Sequence, residues 1–429
     1  LHAGELLEDH GQDVGATGGR AHIKDDGPAQ RGQEHREAEL QKRVVGQRGA
    51  QRPDPFAQAD VKGQGEGGVH RPAHAFAPQQ AEATAAPAAE APTEAPATEV
   101  STEAPTPEPQ PEARSFTDSL GRQVELPAQL DKVALSGSLS QIVLFAICPD
   151  KLVGIATKWD ESAAKFFDAK YYDLPLLGQL YGGKGELNLE ALLASEAQVV
   201  IDVGEQKKNM TEDLDALQEQ TGIPFVHIDA YTASVGETYR ILGELLNMPE
   251  EANALADYCE ATYARILDIA NKVEKKRLLY VSGEGQHVIA QGSFHAEIID
   301  LLADNLAVVD EPSSKGTGNE VNMEQILAWD PDYVIFAPGS IYSTVKDDPA
   351  WAAVTAIKEG QYYQAPFGPY NWMGFPPSVQ RYLGMLWMAK TLYPEAADYD
   401  LYEEVKTYFR LFYHCDLTQE QFNELASAA

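Results

Sequence analysis

Two glycine-rich segments each carry one lysine and are suited to holding an anion. Tyr-Gly-Gly-Lys-Gly-Glu occupies 181–186, and Ser-Ser-Lys-Gly-Thr-Gly-Asn-Glu occupies 313–320. Glycine turns expose backbone amides that can hydrogen-bond an anion, and Lys184 and Lys315 would add positive charge from two sides. The same composition also fits two surface turns with solvated lysines. The sequence leaves both interpretations open.

Aromatic side chains are concentrated in segments predicted to be loops. The stretch Pro-Phe-Gly-Pro-Tyr-Asn-Trp-Met-Gly-Phe-Pro-Pro over 366–377 is too rich in proline and glycine for a regular helix or strand. Its rings could stack on a flat or aromatic ligand, or form a hydrophobic plug over the last helices. The candidate ligand contacts in these loops, with two neighbouring asparagines, are Trp159, Tyr181, Asn319, Tyr342, Tyr370, Asn371 and Trp372.

One histidine, at a predicted loop-to-helix junction, is a candidate ligand group. His295 follows Gly292-Ser-Phe at the start of a predicted helix. A neutral imidazole at that place could ligate a metal with an open coordination position. A lone histidine also commonly caps a helix or bonds locally, so a metal role and a structural role both remain open for His295.

The first glycine-rich segment also contains most of a nucleotide-binding P-loop. Gly178, Gly183 and Lys184 have the spacing of that motif, but Gly185 replaces the serine or threonine whose hydroxyl binds magnesium. The sequence contains no Gly-x-Ser-x-Gly, His-Glu-x-x-His or Cys-x-x-Cys motif. We therefore predict a binding protein and not an enzyme.

A short segment is written twice, with its copies 134 residues apart (322 minus 188). The first copy is Asn-Leu-Glu-Ala-Leu-Leu-Ala-Ser-Glu-Ala-Gln-Val-Val-Ile-Asp from Asn188, and the second is Asn-Met-Glu-Gln-Ile-Leu-Ala-Trp-Asp-Pro-Asp-Tyr-Val-Ile-Phe from Asn322. Each predicts an Asn-capped helix, with Glu190 or Glu324 in its first turn, that leads into a buried strand. Two copies imply two similar lobes with a crevice between them.

Predicted strands and helices alternate on both sides of one long helix. The alternation is typical of mostly parallel sheets, and the apolar spacing predicts a single helix over Glu250–Glu274. Within the first lobe we expect a hairpin turning at Gly121-Arg122 and a strand over Lys151–Thr157. The predicted fold class is α/β with two Rossmann-like lobes, and the predicted segments are an N-terminal lobe at 116–247, a bridging helix at 248–275 and a C-terminal lobe at 276–429.

The first 115 residues are not expected to fold. Residues 1–79 show no apolar periodicity, which fits either a mis-called start or out-of-frame translation, or a genuine disordered extension. Residues 80–115 are rich in Ala, Pro, Glu and Thr and predict an extended linker. Linkers of this kind separate a lipid anchor from an extracytoplasmic domain. The first cysteine is Cys148, inside the predicted lobe, so we expect any anchor to be missing from this N-terminus.

Composition narrows the function classes. The formal net charge of −33 argues against a nucleic-acid surface. No apolar run is long enough for a transmembrane helix, which needs about 18 residues or more. Cys148, Cys259 and Cys415 lie far apart without metal-ligand spacing, and we interpret them as free buried thiols.

The order lobe, long helix, lobe resembles a known family. Together with Asp-Ser-Leu-Gly-Arg-Gln-Val-Glu-Leu-Pro at 118–127, it is similar to the periplasmic substrate-binding proteins of iron-siderophore, haem and cobalamin uptake systems. The resemblance covers about residues 116–429. It implies two lobes on a rigid helix that close slightly on a metal chelate and deliver it to an ABC importer, without a cofactor of their own.

The resemblance also implies location, partners and alternatives. It predicts an extracytoplasmic lipoprotein whose partners are a small-molecule metal complex and a permease dimer. The ligand would be an iron chelate of the siderophore type, with haem or cobalamin as alternatives in the same class. An enzyme acting on a metal cofactor is the alternative from another class.

The repeated glutamates acquire a role from the same resemblance. In the family, one glutamate on the rim of each lobe pairs with arginines of the permease, and Glu190 and Glu324 occupy those positions here. Alternatively, each first-turn glutamate only complements its helix dipole, which stabilises a helix by about 0.3–1 kcal/mol. The first copy departs from the family by having Glu196-Ala-Gln198 where Pro-Asp is usual.

Overall fold

The strands within the described part of the chain form three sheets. The computed structural model describes residues 113–181 and 186–426 of the chain. In those ranges the strands are β1 Arg114–Thr117, β2 Gln123–Leu126, β3 Val133–Leu135, β4 Val199–Gly204, β5 Phe225–Asp229, β6 Arg277–Ser282, β7 His287–Val288, β8 Asp304–Asn305, β9 Asn319–Glu320, β10 Tyr333–Phe336 and β11 Tyr362–Gln364.

Helices separate most of these strands. The α-helices of the same ranges are Ser138–Ile147, Ala169–Tyr172, Leu189–Ala194, Met210–Thr221, Val235–Leu246, Pro249–Lys272, Glu297–Leu302, Met323–Trp329, Thr355–Lys358, Arg381–Leu392, Leu401–Phe412 and Gln419–Ala426. None of them is both long enough and apolar enough to cross a bilayer.

The N-terminal lobe is built on a parallel sheet. β3, β4 and β5 pair in that order, and all six residues of the central strand β4 are buried. β1 and β2 form a separate antiparallel hairpin with Thr117 opposite Gln123, so the predicted turn around Gly121 is present. The predicted α/β class with mostly parallel pairing is confirmed for this lobe.

The C-terminal lobe has a larger, mixed sheet. β11, β10, β6 and β8 are parallel, and β7 and β9 add an antiparallel extension beside β6. The carboxyl ends of β6 and β10 therefore lie at the same edge. β7, β8 and β9 have two residues each, which is too short to produce a periodic pattern in the sequence.

A 24-residue helix follows the first sheet and precedes the second. It begins at Pro249 and ends at Lys272, close to the predicted bounds, and at ~1.5 Å per residue it is about 36 Å long. It packs against the helices Val235–Leu246 and Arg381–Leu392. A Cβ on Gly243 would lie 2.4 Å from the Ala252 Cβ, so glycine is required where the helix Val235–Leu246 contacts the 24-residue helix.

The last helices pack against the N-terminal half of the chain. The helix Leu401–Phe412 contacts the helices Ser138–Ile147 and Pro249–Lys272. Nε2 of His414 lies 3.1 Å from the Phe145 carbonyl oxygen. The predicted boundaries assign all of 276–429 to the C-terminal lobe, whereas these contacts also join the chain after residue 400 to helices of the N-terminal half.

The predicted strand over Lys151–Thr157 is wrong. A 3₁₀ turn covers Pro149–Lys151, and only isolated bridges form at Leu152 and Ile155. The amides of Ala156 and Thr157 both donate to Oε1 of Gln141, at 2.8 and 3.1 Å. A buried side chain therefore replaces the strand partner that the apolar pattern implied.

Candidate functional site

A cavity of about 310 Å³ lies at the carboxyl ends of the parallel strands in the C-terminal lobe. β6 contributes Ser282 with Gly283 after it, and β10 is followed by Ala337. This is the edge at which parallel sheets usually place ligands. The wall is formed by Tyr280, Ser282, Gly283, His287, Ile289, His295, Ile299, Gly316, Thr317, Ala337, Pro338, Gly339, Asn371, Met373, Gly374 and Phe375.

His295 is a buried polar group of this wall. It is 8% exposed, and its Nδ1 lies 3.4 Å from the carbonyl oxygen of Gly374. Burial and the nearby positive charge of Arg381 lower the pKa of His295 below its usual value. The imidazole is therefore neutral at neutral pH, which is the form that ligates metals and accepts hydrogen bonds.

Asn371 is held rigidly at the same cavity. Its Nδ2 donates to the Tyr280 hydroxyl at 3.0 Å, and its Oδ1 accepts from the backbone amide of Met373 at 2.8 Å. Burial raises the pKa of Tyr280, so its phenol remains protonated. These bonds connect strand β6 to the proline-rich loop and fix the shape of the wall.

Glycine makes room for an aromatic ring at the edge of the cavity. Phe375 lines the wall and is still 54% exposed. A Cβ on Gly316 would lie 2.0 Å from the Cε2 atom of that ring. The second glycine-rich segment therefore contributes space, through Gly316 and the adjacent Thr317, to the site predicted for it.

Lys315, one of the two lysines predicted as ligand contacts, is not among the residues of this wall. Lys315 is exposed, and its backbone amide donates to Oγ of Ser313 at 3.1 Å. Lys184 lies outside the described residues. Tyr181, the last described residue before that gap, is half-buried, and its hydroxyl lies 3.4 Å from the carboxylate of Asp213.

Asn319 and Tyr342 support the C-terminal lobe instead of facing the cavity. Oδ1 of Asn319 accepts from the Ser313 amide at 2.8 Å, and its Nδ2 donates to the Glu311 carbonyl at 2.9 Å. The Tyr342 ring packs with Phe336 in the hydrophobic cluster of this lobe.

The other predicted rings are packed into the protein core. Trp159 is 6% exposed, donates Nε1–H to the Tyr171 carbonyl at 3.0 Å, and has its ring centroid 6.0 Å from that of Tyr370. The Tyr370 hydroxyl accepts from Gln141 at 3.1 Å. Trp372 is 0% exposed and donates to a backbone carbonyl of its own loop. Thus, of the predicted ligand contacts, the structure brings His295 and Asn371 together at the cavity.

Several residues of the wall were not predicted from the sequence. Tyr280 lies in an apolar strand, and the pattern predicted only a buried side chain there. Ser282 and Ala337 are each followed closely by glycine, and a glycine just after a buried parallel strand was the available signal. His287 belongs to the two-residue strand β7, which has no pattern of its own.

Arg381 and Glu297 form an ion pair beside the cavity, and both bond to Thr232 of the N-terminal lobe. Arg381 is 2% exposed and donates to Oε2 of Glu297 and, at 3.0 Å, to Oγ1 of Thr232. The Thr232 backbone amide also donates to Glu297, at 3.1 Å. Burial lowers the pKa of Arg381 to about 10, so the guanidinium remains charged at neutral pH. Because Thr232 follows β5 and Glu297 follows His295, this pair fixes the N-terminal lobe against one side of the site.

A second buried polar group lies at the carboxyl ends of β4 and β5. His227 is 0% exposed, with Nδ1 2.6 Å from Asp202 and Nε2 2.9 Å from Asp229. Oγ of Ser136 donates to the same Asp202. Burial alone lowers the pKa of His227, but the hydrogen bonds and charges of the two aspartates outweigh it, and the net pKa is raised.

The stability of the protein is therefore expected to depend on His227 and on pH. Because the folded-state pKa is raised, the contribution of the imidazolium is complete below about pH 6.5 and is lost as the pH rises through the folded-state value. In urea titrations between pH 5 and 9, wild type should lose this contribution with rising pH, and His227→Gln should lack that part of the pH dependence. His287→Gln, at the half-buried start of β7 in the other lobe, is the control. A variant profile parallel to wild type would contradict the assignment.

The described residues contain no group of three or more His, Cys, Asp or Glu side chains arranged to hold a metal ion. The imidazoles of His287 and His295 nevertheless lie on one cavity wall.

Comparison with known proteins identifies the family. Residues 133–368 match the model of the family described as periplasmic binding protein. The chain belongs to this family. It is therefore a solute-binding protein of the type that serves ABC importers, located outside the cytoplasm, and not an enzyme.

The similar proteins are named for different ligands. The molybdate-binding protein MolA of Haemophilus influenzae is 22% identical over 70% of this chain and 91% of its own length. The Fe(3+)-citrate-binding protein YfmC of Bacillus subtilis is 24% identical over 43% of this chain and 58% of its own length. A solved ABC transporter solute-binding protein from Sulfurospirillum deleyianum is 26% identical, covers 73% of this chain and 99% of its own, and superposes with a TM-score of 0.67.

Proposed function

We propose that this periplasmic binding protein captures a metal complex, an iron chelate of the siderophore or citrate type, and delivers it to the permease dimer of an ABC importer. The observation that carries the proposal is the cavity of about 310 Å³ at the strand ends of the C-terminal lobe. A space of that size suits a small molecule, since small-molecule pockets measure roughly 300–1,000 Å³. A bare ion needs far less room.

The chemistry of the wall supports a metal complex. His295 is neutral, buried and aimed at the same space as the amide of Asn371, so it can ligate a metal that keeps an open position. Phe375 offers an exposed ring against which a planar chelate can pack. The Fe(3+)-citrate name of one relative agrees with this ligand class.

Other predicted contacts could meet the ligand if the two lobes move relative to each other when it binds. Lys315 is adjacent to wall residues and exposed, and it can approach an anionic chelate that occupies the cavity. Trp159, Tyr181, Tyr342, Tyr370 and Trp372 would reach a ligand only through such a rearrangement, and Lys184, outside the described residues, stays a predicted contact. We also propose that the natural protein carries a lipid anchor ahead of the linker at 80–115.

Titration of purified protein tests the proposed ligand class. Calorimetry with ferric citrate, ferric catecholate and hydroxamate siderophores, haem, cobalamin and molybdate should show tight, one-to-one binding of an iron chelate, at micromolar Kd or below. Exclusive binding of molybdate would replace the iron chelate with an oxoanion, and a Soret band on the protein would favour haem. Absence of binding of every one of these compounds would overturn the proposal.

The glutamates of the repeated segment are expected to control delivery and not capture. Glu190 and Glu324 are both exposed in the first turns of their helices. Reversing both charges, Glu190→Lys with Glu324→Lys, should reduce uptake at least tenfold, because cations would then face the permease arginines. The Kd for ligand should stay within twofold of wild type. Glu250→Lys with Glu359→Lys, at other exposed positions, is the control, and unchanged uptake by the first pair would contradict docking.

A further inference from the structure

The two copies of the repeated segment begin in the same way in the structure. Oδ1 of Asn188 accepts from the Ala191 amide at 3.0 Å, and Oδ1 of Asn322 accepts from the Gln325 amide at 2.9 Å. These caps fix the first turns of the helices Leu189–Ala194 and Met323–Trp329 in equivalent conformations. Glu190 and Glu324 therefore occupy the same place in the first turn of each capped helix.

Each helix buries one apolar residue and exposes the next. Leu192 and Ile326 are 0% exposed and anchor the helices to their lobes. Leu193 is 50% exposed and Leu327 is 38% exposed. Single exposed leucines are ordinary on protein surfaces, but these two stand 134 residues apart (327 minus 193), which is the offset of the repeat.

Two glutamates precede each of these leucines in the sequence. Glu190 and Glu324 precede the exposed leucines by three residues and thus share a helix face with them. A second pair, Glu186 and Glu320, lies four residues earlier and has the same offset. All four glutamates are exposed. We call each set the acid–leucine face; the first consists of Glu186, Glu190 and Leu193, and the second of Glu320, Glu324 and Leu327.

The cations near the far ends of these helices are already paired. Lys132 bonds Glu196 beyond the first helix. Arg277 lies 3.4 Å from Asp332 beyond the second. The first turns keep their negative charge on a chain with a net charge of −33. The charge pattern favours a partner that presents cations to both faces.

We propose that both acid–leucine faces dock on the permease dimer, and that each permease subunit offers an apolar socket flanked by arginine or lysine. This inference rests on the proposed function and adds to it the leucines and the second pair of glutamates. Two equivalent faces match a twofold partner. The glutamates set the orientation of the encounter, and burial of Leu193 and Leu327 supplies affinity once the faces meet.

Site-specific photo-crosslinking tests this docking surface. The photoreactive residue p-benzoylphenylalanine is placed singly at position 193, 327, 190, 324 or 308 of the full chain, and each protein is irradiated with right-side-out membrane vesicles from the source cells. Positions 193 and 327 should crosslink to the same permease polypeptide. Val308, which is 61% exposed on the same protein, is the control and should not crosslink.

The outcomes separate this inference from the docking role of Glu190 and Glu324. Crosslinks from 190 and 324 without any from 193 and 327 would overturn the apolar contact and leave the proposed docking intact. Absence of crosslinks from all four positions would overturn both. Leu193→Ser with Leu327→Ser should also weaken binding to importer proteoliposomes tenfold or more without changing the Kd for ligand, whereas Val308→Ser should have no effect. Wild-type binding by the double variant would contradict the proposal.

Discussion

Replacing Ala337 by phenylalanine is expected to weaken ligand binding by about 100-fold or more. Ala337 follows β10, is 9% exposed and lies on the cavity wall, so a ring at this position enters the space of about 310 Å³. The ring occupies empty volume instead of packed core, and the free energy of unfolding should fall by no more than about 1–3 kcal/mol. Isothermal titration with the bound chelate measures the first quantity, and urea unfolding measures the second.

A phenylalanine elsewhere in the same lobe provides the control for Ala337→Phe. Ala352 is exposed and lies outside the cavity wall, so Ala352→Phe should leave the Kd within twofold of wild type. If Ala337→Phe bound the ligand as tightly as wild type while remaining folded, the ligand would have to occupy another place. That result would contradict the assignment of the ligand site to this cavity.

Removal of the Arg381 charge is expected to destabilise the protein by about 2–3 kcal/mol, less than the roughly 3–5 kcal/mol for a fully buried pair, because the Glu297 side chain is 26% exposed. Arg381→Met keeps most of the side-chain length but leaves Glu297 and the Thr232 hydroxyl without their cation. The guanidinium also packs 4.6 Å above the Phe294 ring. Since these partners come from both lobes, the variant should also scatter X-rays as a more open molecule.

Arg240 supplies the matched control for Arg381→Met. It pairs with Asp257 at 3.1 Å and Glu260 at 2.8 Å, but its side chain is 40% exposed. Because exposed ion pairs contribute little, Arg240→Met should reduce the free energy of unfolding by less than about 1 kcal/mol. Equal losses for the two variants would show that Arg381 is not a special link between the lobes.

The elements that sequence reasoning recovered are those with long periodic patterns. The helix Pro249–Lys272 was predicted within two residues at each end because its apolar positions repeat over six turns. Both copies of the repeated segment were found as helix followed by strand because an Asn cap, an acidic first turn and a β-branched run agree with each other.

The site was harder to predict because its residues come from separate, short elements. His295 and Asn371 were identified from loops, but Tyr280 and Ser282 lie at the end of a strand whose pattern reports burial only. Pairing of β7 with β6 is a tertiary event between residues without local periodicity, so the position of His287 could not be read from the chain.

Aromatic residues misled the prediction for a physical reason. Full burial of a large ring stabilises the fold more than partial burial in an open crevice does. An indole N–H can donate to a backbone carbonyl inside the core. Trp159 and Trp372 both use that solution, with Nε1 at 3.0 and 3.1 Å from carbonyl oxygens. These two rings therefore indicated packing in the protein core more than contact with a ligand.

The position of the bound iron shows whether this cavity is the ligand site. Crystals of the full chain grown with the iron chelate that binds most tightly would be measured at the iron absorption edge. We predict one anomalous peak inside the cavity, within coordination or contact distance of His295 and bordered by Asn371 and Phe375. A peak elsewhere on the protein, or a fully bound chelate that leaves this cavity empty, would contradict the central claim.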